Sequence, residues 1–433
     1  MKRIRTTEVA HHVGQRVYLQ GWLQNVRRLG GVNFVLLRDG WGTIQAVTEA
    51  AVDLEPLAGV GLESVIGLTG VVVATTQTAA GLELHQPQIE VITPVTAELP
   101  LTLHKPTLVA TLPVLLDQAV LANRHPIRRA IFRLAAAAMA GFRQALQARH
   151  FTEIQSPKLV ASATEGGANV FRLDYFGGEA FLAQSPQFYK QIMVSVFERV
   201  YEVGPVFRAE PHDTSRHINE YVSLDVELGF IEDHFTVMEL VQVLLAAIMK
   251  QMAQTAVTDL HLLDVTLPVV PQPIPHIHFR EAKELVWQQH GLDGRAEPDL
   301  SPQEERWLGE WAKAEHGSDF LFVTGYPMTK RPFYTHPDPA DPIYSNSFDL
   351  LFRGLELITG GQRLHRYQDY QAALTQAGLP EAAFSHYLDA FRYGMPPHGG
   401  FAIGLERLLM QLLGVSNLRL TTLFPRDQTR LAP

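Results

Sequence analysis

Five prolines, at positions 94, 100, 106, 113 and 126, punctuate one stretch of this chain. Each removes a backbone donor and fixes φ, so neither a long helix nor a central strand can run through that stretch. It reads as a linker or hinge between two separately built parts. With 433 residues, the chain is also too long for one ordinary domain. The expected division is a first domain over 1–95, a hinge over 96–126 and a larger domain over 127–433, in which the proline-rich, polar stretch 256–340 looks like an insertion.

The first 95 residues read as β structure. RVYLQGWLQ, NFVLLRD, TIQAVT, SVIGLTGVVVAT and the run through IEVIT are short strand-like segments broken by LGG, DGWG and TAAG. Five short strands in that length suit a small closed barrel of the oligonucleotide-binding type, with an immunoglobulin-like sandwich as the alternative. The net charge of −9 argues against a polyanion as partner, but it is unevenly spread. Residues 1–40 hold seven basic side chains (Lys2, Arg3, Arg5, Arg16, Arg27, Arg28, Arg38) against Glu8 and Asp39. Such asymmetry points to a polyanion at one end, or to a merely solvated basic surface. There is no cysteine, which excludes disulfides, zinc–thiolate sites and cysteine nucleophiles. The N-terminus has no apolar signal core and no run approaches 18 apolar residues, so a cytoplasmic chain without a membrane span is expected.

In the larger part, Pro126 opens a helix with Ile127, Ile131, Leu134, Ala138, Phe142 and Leu146 on one face, followed by FTEIQSPKLV as a strand ending near Pro157. Residues 199–230, RVYEVGPVFRAEPHDTSRHINEYVSLDVELGF, are two strand-like runs around a polar loop, a long hairpin. Period-two alternation places Arg208 and Glu210 on one face of the first strand, and Tyr221, Ser223, Asp225 and Glu227 on one face of the second. Lining a cavity, these groups would need partners or a ligand; the alternative is a solvent-facing hairpin with cross-strand ion pairs. HGGFAIGLERLLMQLLG reads as a glycine-rich turn entering a short helix, with Leu405, Leu408, Leu409 and Leu412 buried and Gly414 as C-terminal cap. Arg407 in its first turn opposes the helix dipole, which suits a residue placed to meet a phosphate, or a snorkelling surface arginine.

These segments resemble class II aminoacyl-tRNA synthetases. VFRAE with its hairpin loop is similar to the second motif of that family, GLER opening a helix to the third, and the helix, strand and Pro157 to the first, which builds a dimer interface. SATEGGANVF, AQSPQFYKQ, RAEPHDTSRH, SNSFDLLFRGLELITGGQRLHRY, FRYGMPPHGGF and LFPRDQTRL narrow the resemblance to aspartyl-tRNA synthetases of the archaeal and eukaryotic type, over nearly the whole chain. The implied fold is α+β and multidomain: an OB-type barrel that binds the anticodon, and a catalytic domain built on an antiparallel sheet with flanking helices.

The resemblance implies a site residue by residue. Arg208, Glu356 and Arg407 are the catalytic set, with Arg208 on the α-phosphate and the aspartate α-carboxylate and Arg407 on the γ-phosphate. The aspartate pocket comprises Glu165, Gln187, Lys190, Arg208, Asp225, Thr359 and Arg363. ATP meets Arg208, Ala209, Glu210, Arg216, His217, Ile218, Tyr221, Glu356, Gly404, Leu405, Glu406 and Arg407, with Tyr221 stacking on adenine where phenylalanine is usual. Asp349, Glu356 and Thr359 take magnesium; serine is common at the position of Thr359, and the hydroxyl is kept. Arg27, Phe34 and Gln45 contact the anticodon.

The implied chemistry needs no general base, because a carboxylate is already nucleophilic and the work is positioning and charge stabilisation. Pairing of the substrate carboxylate with Lys190 and Arg363 would reject neutral asparagine. Asparaginyl-tRNA synthetases, which share this fold, carry other residues at Lys190 and Asp225; an inactive RNA-binding paralogue is the remaining alternative. Discriminating archaeal-type members tend to have a tryptophan two residues after the first-strand GW and a lysine in a later turn. Here those positions are Gln24 and Ala79 or Ala80. The resemblance therefore implies charging of both tRNA-Asp and tRNA-Asn, by a homodimer.

Overall fold

The computed structural model describes residues 1–78, 80–161, 169–211 and 214–433; Ala79 and Glu165, both singled out above, lie outside the described residues. The chain divides into two compact units, Met1–His125 and Pro126–Pro433.

In the first unit, β1 (Arg16–Leu29), β2 (Val32–Arg38), β3 (Thr43–Thr48), β4 (Val65–Ala74) and β5 (Leu82–Thr93) close a barrel in the order β1-β2-β3-β5-β4. Alternation decides what fills it: Val17, Leu19, Leu23, Val35, Leu37, Ile44, Ala46, Ile66, Leu68 and Leu84 point inward. A bulge at Gln24 shifts the β1–β2 register between Leu23 and Asn25. Arg38 does not belong to the basic surface expected from the charge count. It is buried and forms a bidentate pair with Glu63, each bond 2.8 Å long. The proline-punctuated segment is not a bare hinge. It contains α1 (Leu112–Asp117) and α2 (Ala119–Ala122), and Leu101, Leu103 and Ala122 make a small buried cluster.

The second unit is built on an eight-stranded sheet. Its strands are β6 (Thr152–Glu153), β10 (Arg199–Phe207), β11 (Glu220–Gly229), β12 (His276–His278), β13 (Phe320–Thr324), β14 (Ser347–Phe352), β15 (Leu355–Gln362) and β16 (His398–Gly404), in the order β12-β13-β14-β15-β16-β11-β10-β6. All neighbours from β13 to β10 are antiparallel; the pairs at either edge, β12–β13 and β10–β6, are parallel. A separate three-stranded sheet joins β7 (Leu159–Val160), β9 (Gly178–Leu182) and β8 (Arg172–Tyr175).

One face of the large sheet is covered by α3 (Pro126–Gln147) and α5 (His234–Thr255), whose apolar stripes meet Leu224, Val226, Phe322, Phe348, Leu350, Ile358, Phe401 and Ile403 in the main core. Ile131, Leu134, Ala138, Phe142 and Leu146 of α3 are buried as the spacing predicts. Helix α5 is long and apolar enough by composition to cross a membrane, but here it packs against α3 and the sheet as a core helix. Further helices are α4 (Gln187–Phe197), α6 (Val257–Leu262), α7 (Phe279–His290), α8 (Pro302–His316), α9 (Tyr367–Gln376), α10 (Ser385–Arg392) and α11 (Leu405–Leu413). Helix α11 has the predicted stripe and ends at Gly414, with φ +62°.

Two local expectations are corrected. HGGFAIG is a strand, β16, rather than a turn: its glycines sit mid-sheet because neighbouring strands approach too closely for side chains. The first hairpin strand ends at Phe207, so Arg208 and Glu210 lie beyond the ladder rather than on its face. Asn219 carries the hairpin past that point, accepting from Arg208 N–H and donating from its amide to Arg208 O at 2.7 Å. The 256–340 insertion contributes the two outermost strands, β12 and β13, and packs α7 and α8 over them through Phe279, Ala282, Leu308, Leu321 and Val323.

Candidate active site

The face of the large sheet opposite the core carries the chemistry. Antiparallel register sets Asp225 opposite Glu202 and Ala402, and Glu227 opposite Gly400. Ser223, Asp225 and Glu227 are all buried, so the solvent-facing alternative for this hairpin does not hold. Lys190, from the first turns of α4, reaches under the sheet face with 1 % exposure. Its ammonium donates to Asp225 Oδ1 at 3.1 Å, Phe401 O at 3.3 Å and Val226 O at 3.4 Å, and lies 3.3 Å from Glu227 Oε2. Arg363, just past β15, donates through Nε to Glu227 Oε1 at 3.1 Å and through Nη2 to Gly400 O at 3.0 Å; neither bond uses Nη1. Burial alone would push the Glu227 carboxyl up, but Arg363 and Lys190 more than offset this and hold it below the usual range.

This arrangement changes the specificity argument. Lys190 and Arg363 are not bare cations awaiting a carboxylate, because Glu227 bridges them and Asp225 shares Lys190. What faces an incoming carboxylate is a charge-balanced, pre-positioned set, with the Nη1 edge of Arg363 outside its two protein bonds.

Behind this pocket is a polar network that sequence reasoning missed. Gln187 donates to Gln191 Oε1 at 2.9 Å, and Tyr387 donates to the same oxygen at 3.0 Å. Gln191 Nε2 donates to Tyr370 at 3.1 Å and to His398 Nε2 at 2.9 Å, while His398 Nδ1 donates to Pro396 O. Burial pushes His398 down to about 4, so its ring is neutral with the proton on Nδ1. The one available signal was the four-residue spacing of Gln187 and Gln191 on a helix.

Beyond Ser223, the same face opens into a cavity of ≈ 230 Å³ lined by Arg208, Glu210, Arg216, His217, Ile218, Tyr221, Glu356, Thr359, Gly404, Glu406 and Arg407 among others. The Arg208 guanidinium lies 5.9 Å from the Tyr221 ring centre. His217 and Glu210 approach to 3.4 Å. Arg407 donates to Glu356 O at 3.0 Å and Oε1 at 3.3 Å, and Thr359 donates to the same Oε1 at 3.2 Å. Glu406 points the other way: buried, it accepts from Val222 N–H at 3.1 Å and ties α11 to β11, and burial pushes it up to about 7. Ala209 and Leu405 flank the cavity residues, and Leu405 belongs to the main core.

Asp349 and Thr359 are direct cross-strand partners on β14 and β15. With Glu356 they present oxygen donors of the kind magnesium takes. Burial pushes Asp349 up to about 6; Arg331, 3.0 Å away, pulls it back, and the Glu356 charge adds to the rise. A divalent cation would relieve that crowding. Among the described residues no group of three or more His, Asp or Glu side chains is placed to hold a metal. Magnesium in nucleotide sites commonly rests on one or two carboxylates plus phosphate oxygens, so the residues fit it. Arg331 and Glu305 are further neighbours that the sequence reading did not single out.

On the barrel, Phe34 is half-buried on the outer face, opposite the inward Val35 and Leu37. Arg27 is its cross-strand partner, lies 5.5 Å over its ring and donates to Gln45 at 2.7 Å. The three anticodon candidates thus form one outward cluster. Gln24 is turned elsewhere by its bulge: it lines a cavity of ≈ 350 Å³ with Gly61, Leu62, Glu63 and residues of 95–104. Ala80 lies exposed in the turn before β5.

A five-stranded barrel of this order, together with motif residues gathered on one antiparallel sheet, defines a class II aminoacyl-tRNA synthetase. The family described as tRNA synthetases class II (D, K and N) matches residues 112–428, and the OB-fold nucleic acid binding domain matches 17–92. The chain is 46% identical over 431 residues to the aspartate–tRNA(Asp/Asn) ligase of Thermus thermophilus, covering 100% of both chains. It is 44% identical to that of Deinococcus radiodurans, covering 100% of this chain and 99% of the other. Among solved structures, asparaginyl-tRNA synthetase from Pyrococcus horikoshii complexed with asparaginyl-adenylate superposes with a TM-score of 0.92 at 31% identity, covering 100% of both chains. The chain belongs to the aspartate–tRNA ligase family of these synthetases.

Proposed function

We propose that this enzyme activates L-aspartate with ATP and transfers it to both tRNA-Asp and tRNA-Asn. The observation that carries the aspartate reading is the continuous face on which Lys190, Asp225, Glu227 and Arg363 adjoin the cavity of Arg208, Tyr221 and Arg407. The Arg363 edge meets the side-chain carboxylate, and Gln187 and Thr359 border the amino acid. Arg208 holds its α-carboxylate beside the α-phosphate while Tyr221 supports the adenine and Arg407 the γ-phosphate. The α-carboxylate then attacks the α-phosphorus in line, and pyrophosphate leaves. Asp349, Glu356 and Thr359 would hold magnesium, which neutralises developing phosphate charge. The 3′-terminal ribose hydroxyl of the tRNA attacks the adenylate in the second step. Asparagine–tRNA ligation is the second reading, motivated by the superposition on an asparaginyl enzyme; the Lys190–Asp225 pair disfavours it.

Dual tRNA use rests on Gln24 and Ala80, neither a bulky ring nor a cation, and is in line with the names of the two relatives. Charging of purified tRNA-Asp and tRNA-Asn with aspartate tests it: comparable efficiencies are expected, and a thousandfold deficit for tRNA-Asn would refute it. Phe34→Ala belongs in the same assay. It should weaken charging of both tRNAs by about 1–3 kcal/mol, the worth of one base stack, and spare aspartate-dependent exchange; equal loss in both assays would make Phe34 a structural residue only.

The enzyme is further proposed to be a homodimer built on α3 and the segment through Pro157, closed two-fold symmetry being the default for such assemblies. Sedimentation at micromolar concentration should give twice the chain mass, and a fully active monomer would overturn this.

A further inference from the structure

The insertion reaches the nucleotide end of the site through one side chain. Helix α8 starts with a capping box in which Glu304 is fully employed: it accepts from Ser301 N–H at 2.7 Å and from Lys283 at 2.8 Å. Its neighbour Glu305 takes no part in that cap. The Glu305 carboxylate lies largely buried beside the nucleotide cavity, 4.0 Å from Arg216 and within electrostatic reach of Arg407. It accepts the backbone N–H of Glu356.

Local geometry explains why that N–H needs such a partner. The β14–β15 register slips between Leu350 and Leu351, so that Ile358 faces the first and Glu356 the second, leaving Leu357 as an extra residue. Such bulges disrupt the ladder and re-aim side chains. The helix is seated tightly against the turn beside it: a Cβ on Gly309 would come within 2.5 Å of Gly354 N, and one on Gly354 within 2.8 Å of Arg306 Cα.

We infer that Glu305 is a positioning residue for ATP, anchoring the bulged Glu356 backbone and facing Arg216, so that the insertion completes the nucleotide end of the site. This rests on the ATP reading above and extends it to a segment that carries none of the family motifs. The anchor and the charge are separable. Glu305→Gln keeps an oxygen that can accept the Glu356 N–H, whereas Glu305→Ala removes it.

The test is titration of wild type and both variants with magnesium–ATP by calorimetry, alongside ATP and aspartate KM values from pyrophosphate exchange. Loss of a hydrogen bond to a charged group predicts ATP binding about tenfold weaker in Glu305→Ala, with aspartate KM changed less than about twofold. Glu305→Gln should recover ATP binding to within about threefold of wild type. Unchanged ATP binding in Glu305→Ala would overturn the inference. So would a loss that Gln does not rescue, or one shared equally by aspartate. Wild-type protein that binds ATP but shows no aspartate-dependent exchange would instead defeat the aspartate reading, and the calorimetric comparison would still decide the role of Glu305.

Discussion

Replacing Arg363 by leucine is expected to lower aspartate-dependent ATP–pyrophosphate exchange by about 10³-fold or more. Its guanidinium is held by Glu227 and Gly400 O, so its remaining edge is fixed in direction before substrate arrives. Removing one member of a buried ion pair typically costs about 3–5 kcal/mol, because the other is left uncompensated. Here that other is Glu227, with no exposure at all, and Lys190 can satisfy only part of it. The variant should therefore lose stability as well as activity, and a thermal melt will show a lowered midpoint. Magnesium–ATP binding should stay within about threefold of wild type, since Arg363 does not line the nucleotide cavity. Near-normal exchange at ordinary aspartate concentration would remove Arg363 from the pocket.

A single methyl group at Gly400 should be nearly as damaging. A Cβ there would stand 2.1 Å from Glu227 Oε2 and 2.1 Å from Val226 O, one a carboxylate clamped between two cations and the other the backbone of the next strand. Neither can give way cheaply. Overpacking of this kind costs roughly 1–3 kcal/mol and occasionally more. Displacing Glu227 also misplaces both Lys190 and Arg363. Gly400→Ala is expected to lower exchange at least about 100-fold, mainly through aspartate, because misplacement of a positioning group alone can cost that much. A variant with wild-type aspartate KM and melting temperature would show that the sheet relaxes around the methyl group.

How far the sequence discloses these features depends on how locally they are encoded. The barrel strands are legible because inward and outward residues alternate and glycine turns separate them. The aspartate pocket is legible in half: alternation along β11 puts Ser223, Asp225 and Glu227 together, and the resemblance adds Lys190 and Arg363. That Glu227 ties these two cations together depends on a contact across 136 residues of sequence, which no local pattern records. The glycines of 398–404 read as a turn because glycine usually signals one; here they answer strand-to-strand crowding, visible only once β16 lies between its neighbours. Glu305 was illegible for another reason. Two glutamates open α8, and either could serve the cap; which one turns toward the nucleotide depends on how α8 seats on Gly354. The proline-rich segment misled in the opposite direction, since proline at the first helical positions starts α1 rather than forbidding it.

The strand order also governs how such a chain is made. Strands β12 to β15 form one patch of the large sheet and β11, β10 and β6 another, and the strand that joins them, β16, is the last of all to leave the ribosome. Until residues 398–404 emerge, each patch has an open strand edge where its partner is missing, and unpaired edges are templates for wrong pairing. The β10–β11 hairpin is finished nearly 170 residues before the strand that completes it. The nascent catalytic domain thus spends most of its synthesis as two half-sheets, in the long-range, slow-closing regime where premature association competes with folding. A message truncated before β16 yields no partially active enzyme, only a pair of sticky edges with the aspartate pocket cut down the middle.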